Sequence, residues 1–155
     1  MQNDKIYSEI INSFVRTKIE ANMLLSELDL LRRSLFKIGE GDFNSTLEKN
    51  VRAKVANAIT QIANDVNREQ ILKILSEKIK SLNYLSLTIA FEPNLETEGR
   101  IITWIRQNLG EGIAIDIKTD KSTLGGAVIE YKGKIGNFTI LPKIDEYFLK
   151  NNVNF

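Results

Sequence analysis

Lys121, Ser122 and Thr123 stand directly before Leu124, Gly125 and Gly126, and a cation, hydroxyls and glycines are the parts of a phosphate-binding loop. The order is wrong for one. A phosphate loop puts its glycines first, so that lysine and hydroxyl fall at the start of a helix whose backbone N–H groups point at the anion. Here the glycines run into the apolar stretch Ala127 to Tyr131, which reads as a turn or bulge opening a strand. Glu40, Asp42, Asn44 and Glu48 offer oxygens at intervals suggestive of a calcium loop. The glycine required at the sixth position for its sharp turn is missing, so the segment is read as a capped turn between helices. Asp116 and Asp120 could pair for general acid/base work. Asp116, however, lies between Ile115 and Ile117, and alternation turns it to the face opposite theirs, toward solvent.

The residues that are missing narrow the chemistry further. The 155-residue chain has no histidine and no cysteine. That removes the commonest general base, histidine triads, thiolate nucleophiles, the usual zinc sites and disulfides. With 21 basic and 20 acidic residues the net charge is +1, so neither a basic nucleic-acid surface nor a polybasic membrane arm is indicated. Asn44-Ser45-Thr46 and Asn137-Phe138-Thr139 match a glycosylation pattern, but no secretory signal accompanies them. Met1 to Lys5 is polar and leads into helical spacing, which predicts neither a signal peptide nor a spanning helix. The chain is expected to be cytoplasmic, without metal, cofactor or small-molecule substrate, and without catalytic residues.

What positions these residues is expected to be an α+β chain of two parts, 1–83 and 84–155. From about Asp4 to Ile38, Tyr7, Ile10, Phe14, Ala21, Leu24, Leu28, Leu31, Leu35 and Ile38 hold the a and d places of one heptad frame, with Thr17 the polar exception. Ile11, Leu25 and Phe36 widen the stripe toward a bundle core. Gly39 and Gly41 end this first long helix. Ser45 and Glu48 have capping-box spacing and open a second, carrying Leu47, Val51, Val55, Ile59 and Ile62. Asn67 and Gln70, with Val66 and Ile71 as a hydrophobic staple, mark a third from Arg68 to Leu82, or else the second runs through. The first part is therefore predicted to be a bundle of two or three long helices.

Leu24, Leu28, Leu31 and Leu35 leave two readings open: bundle core, or a groove for a partner's helix. Burying four leucines contributes about 6 to 12 kcal/mol gross, against about 4 to 15 kcal/mol for association, so one such stripe alone would bind weakly.

At Asn83-Tyr84 the period changes to two, through Leu85, Leu87, Ile89 and Phe91. Pro93-Asn94 stops that strand, and Asn94 caps a helix whose face is Ile101, Ile102, Ile105 and Leu109 before Gly110. Trp104 lies beside that face, as core or as a partner contact. Ile113, Ile115 and Ile117 make a second strand, Ala127 to Tyr131 a third, and Ile135 a short fourth after a turn at Gly133. A last helix runs from about Ile140 to Leu149, with Pro142 in its first turn. The result is a small α/β unit with a mixed sheet of three or four strands.

Within that unit, Ile115 to Ile129 resembles the C-terminal signature of the delta subunit of F-type ATP synthases, the oligomycin-sensitivity-conferring protein family. The match lies at Asp120, Ser122, Gly125, Gly126, Val128 and Ile129. Asn137 and Thr139 stand where the family has an Asp-x-Ser turn opening the last helix, with Asn137 able to make the side-chain turn and Thr139 able to cap. Thr123 replaces a usual aliphatic residue and Leu141 an often basic one. The resemblance spans roughly Leu85 to Phe148. It implies a structural connector of the peripheral stalk, or stator, with the ATP synthase alpha and b subunits as partners. The protein would be peripheral to the membrane through that complex, and Trp104 and the Leu24 to Leu35 stripe are candidate partner contacts. Family members begin with six compact helices that grip the alpha subunits, so that contact is not carried over residue by residue. The alternatives are an E-type stalk subunit of a vacuolar or archaeal rotary ATPase, whose first helix is normally longer and more charged, and a small ligand-binding or enzymatic domain.

Overall fold

Thr17, the polar interruption in the heptad frame, is where the expected first helix divides. In the computed structural model, which describes residues 2–39, 41–64 and 66–150, α1 (Gln2–Phe14) and α2 (Lys18–Ser34) are separate. Thr17 is extended and accepts a hydrogen bond from the Glu20 N–H, while the Glu20 carboxylate accepts from the Thr17 and Arg16 N–H groups. That reciprocal box satisfies amides left over at a helix start, and it outweighs the apolar continuity across the break.

The second expected helix divides as well, into α3 (Phe43–Asn50) and α4 (Ala53–Ile62). Asp42, not Ser45, is the cap of α3: its carboxylate accepts from the Ser45 N–H at 2.8 Å. This starts the helix early enough to bury Phe43 and Thr46. Asp42 thus does the capping that the calcium-like spacing left open, and Glu40 lies outside the described residues. At the second break Val51 is extended and buried. Arg52 then begins α4 with no local cap. Its backbone N–H, Nε and Nη2 instead donate to the Glu27 carboxylate on α2, at 3.0, 2.8 and 2.9 Å. A side chain 25 positions away therefore makes the corner.

The third helix, α5 (Arg68–Lys80), begins at the expected place by other means. Asn67 makes no side-chain cap; its Oδ1 accepts from the Asn64 N–H, and Val66 is 96% exposed, so there is no staple. Arg68 lies over the Phe43 ring, 4.3 Å from its centre. Among the described residues the first part thus holds five helices where two or three longer ones were expected. Its core includes Leu24, Leu28, Leu31, Phe43, Val51 and Leu72. The α2 helix packs on α1, α3 and α5. The chain separates into two units, Met1–Asn83 and Tyr84–Phe155.

The second unit is built on β1 (Asn83–Ile89), α6 (Leu95–Leu109), β2 (Ile113–Thr119), β3 (Ala127–Tyr131), β4 (Lys134–Asn137) and α7 (Leu141–Lys150). Its sheet has the order β2-β1-β3-β4. The Asp120 N–H donates to the Ile89 carbonyl at 2.8 Å, which sets the ends of β1 and β2 side by side as a parallel pair. Such a pair needs a crossover, here α6. The remaining pairs are antiparallel, with Leu87 opposite Ile129 and Ile129 opposite Gly136. Lys132 and Gly133 both have positive φ, 50° and 73°, the two-residue turn whose twist suits a β-hairpin. The class is α+β with a four-stranded mixed sheet, as expected.

Candidate functional site

The residues that carry the family resemblance meet at one corner of the second unit. Asp120 follows β2 and its carboxylate accepts from the Ser122 N–H at 2.9 Å. Hydrogen bonds from the Ser122 side chain and backbone hold the Asp120 carboxyl below the usual aspartate range. They start a single 3-10 turn, Lys121–Thr123, and the buried Thr123 hydroxyl donates to the Asp120 carbonyl at 2.8 Å. Thr123, which departs from the family's aliphatic residue, is therefore accommodated by bonding its hydroxyl inward.

Gly126 is the tightest point of the corner. Its φ is +84°, and a Cβ there would fall against the Phe138 carbonyl oxygen and 2.8 Å from the Thr139 Cα. Only glycine combines this backbone conformation with so close a neighbour. The Phe138 N–H donates to the Ala127 carbonyl and the Ile140 N–H to the Gly125 carbonyl. Asn137 makes its side-chain turn, its Oδ1 accepting from the Thr139 N–H at 3.0 Å and from the Thr139 hydroxyl at 2.8 Å. Thr139 does not cap the last helix; its hydroxyl is turned back to Asn137, and the Ile140 carbonyl accepts the first helical bonds. The corner thus closes the strands and the last helix onto each other through backbone bonds.

A second feature lies on the sheet. Leu85, Leu87 and Ile89 of β1 share a face with Ala127, Ile129 and Tyr131 of β3, and with Ile113 and Ile115 of β2 they meet Ile102 and Ile105 of α6. One helix is about 10 Å across, whereas four strands at about 4.8 Å spacing make a sheet nearly twice as wide. Since α6 lies against β2, the same face over β3 and β4 stays open. The opening is a groove of about 800 Å³ floored by Leu87, Ile129 and Gly136, walled by α6 through Arg100 and Trp104, and closed by Phe138 and Lys134. Trp104 is 55% exposed and Phe138 67%. Such a concave apolar site with few polar groups is the usual form of a binding groove.

Of the sequence-derived candidates, Asp120, Ser122, Gly125, Gly126, Asn137 and Thr139 come together at the corner. Trp104 lines the groove and is not core. Leu24, Leu28 and Leu31 are buried at 3% exposure or less, and Leu35 is half-buried at the end of α2. Their stripe is bundle core and not an open seat, because α3 and α5 occupy it. Arg100, Lys134, Gly136 and Phe138 were not singled out in the sequence. A signal for them exists: apolar residues at alternate positions of two hairpin strands, on a sheet wider than the single helix α6 can span. Asp116 is 22% exposed and 3.9 Å from Lys118. Among the described residues no group of three or more metal-ligating side chains is clustered, and no helix is long and apolar enough to cross a membrane.

No protein-family model matches the chain, and no curated protein matches it.

Proposed function

We propose that this protein is a delta-type connector in the peripheral stalk of a rotary F-type ATP synthase, joining the b stalk to the alpha/beta head. The observation that carries the reading is the corner at Gly126: the residues that resemble the family's signature form one interlocking set of turns and close backbone contacts. Their roles there are geometric, as a family of structural subunits requires. The helical unit adds support, since the five helices among its described residues stand nearer the family's six-helix bundle than the two or three of the sequence expectation. The open groove beside α6 is where the b helix would lie, and the helical unit would face the alpha subunits.

On this reading the protein works without bond-making chemistry. It is held on the cytoplasmic side, peripheral to the membrane through its partners, and needs neither nucleotide nor metal. Apolar contacts at separate places, each modest, resist the torque of the central shaft together, because a second contact made within one assembly carries a high effective concentration. Co-expression with the alpha and b subunits of the same source tests this. Both should co-purify with the chain, and a clean failure of either to associate would contradict the proposal.

A further inference from the structure

We propose that the groove beside α6 takes an amphipathic helix whose apolar stripe is edged by carboxylates. This deepens the connector reading and rests on it for the source of the helix, though the chemistry of the groove stands on its own residues. The α6 wall has 15 residues, about 22 Å of helix. An incoming helix at the usual interaxial distance of about 8–10 Å would occupy the sheet face that α6 leaves open, burying an apolar stripe against Leu87, Ile129 and Trp104.

The polar groups around that floor decide the partner's charge. Arg100 stands on the α6 side and Lys134 on the β4 side, both exposed. Among the described residues neither makes an ion pair. The remaining polar side chains of the lining are Thr97, the Trp104 indole N–H and the Tyr131 hydroxyl, all able to donate, and no carboxylate lines the groove. Glu96 and Glu98 belong to α6 but lie off this lining. A helix edged with glutamate or aspartate supplies the missing acceptors on both sides, while one edged with lysine meets like charge on both. The cleft is concave, so a flat anionic lipid surface fits it less well than a rod.

Trp104 is the only tryptophan of the chain, so its emission reports occupancy in the full-length protein. Two designed helical peptides with the same leucine stripe, one edged with glutamate and one with lysine, would be titrated against it. The glutamate peptide should shift the emission to the blue and bind roughly tenfold tighter at low salt, with the gap narrowing as salt rises. Arg100→Gln with Lys134→Gln should abolish the preference, and Arg100→Glu with Lys134→Glu should reverse it. Equal binding, a lysine preference or no binding of either peptide would overturn the proposal. So would a blue shift produced only by phosphatidylglycerol vesicles, or by raising the protein's own concentration. The b subunit separates the two claims. If it co-purifies equally with wild type and the charge-reversed variant, the charge assignment falls and the connector stands. A glutamate preference without b association has the opposite meaning.

Discussion

Replacing Gly126 by alanine would force a left-handed backbone on an L-residue and press its methyl group into the Phe138 carbonyl. The expected loss is about 3 kcal/mol or more, read as a lowered urea midpoint. Gly99 makes the contrast: it lies inside α6 with nothing within 4 Å of a built Cβ, so Gly99→Ala should stabilise by about 0.5–1 kcal/mol. Glu27 gives a residue-scale prediction about pH. Burial raises its pKa, but hydrogen bonds from the Arg52 side chain and backbone, with the guanidinium charge, bring it below the ordinary 4.5. A group depressed in the folded state contributes stability in full above its unfolded pKa and loses it as pH falls through the folded one. Stability should therefore drop as pH falls below about 4.5, and Glu27→Gln should flatten part of that acid limb in urea titrations. At pH 7 the same substitution should cost about 1–3 kcal/mol, since it weakens three hydrogen bonds from Arg52.

At the scale of elements, what the sequence revealed depended on how local the deciding interaction was. The strands and α6 were legible because period two, Asn94 and Gly110 all act within a few residues, and the Asn94 side chain does accept from the Thr97 N–H. The breaks in the helical unit were legible only in part. Thr17 and Glu20 had the capping-box spacing, but the heptad frame ran over them. The corner at Arg52 could not be read locally, because its cap is Glu27 on another helix. The groove was hidden for a related reason: it arises where α6, packed on β2, leaves part of the sheet face uncovered, which no single segment carries. If the Thr17 box divides α1 from α2 as argued, Thr17→Ala should cost about 1 kcal/mol. Amide hydrogen exchange should then speed up most at Lys18 to Glu20, where the cap protects the first turn.

Across the whole molecule, the proposed reading would have the two units hold their partners by different means. In the helical unit the leucine stripe is consumed by its own core, so contact with the head would fall to other apolar side chains, of which Ile19, Met23 and Leu30 are exposed on α2. In the second unit the sheet face itself is open. A connector differs from an ordinary binding module in one property: its partners bind at once and do not compete. The most direct measurement is analytical ultracentrifugation of the full chain mixed with the b subunit and the alpha/beta head of its own source. A ternary species containing all components, with b binding unchanged by saturating head, is the predicted result. Mutual displacement of the two partners, or a chain that sediments alone in the presence of both, would contradict the account.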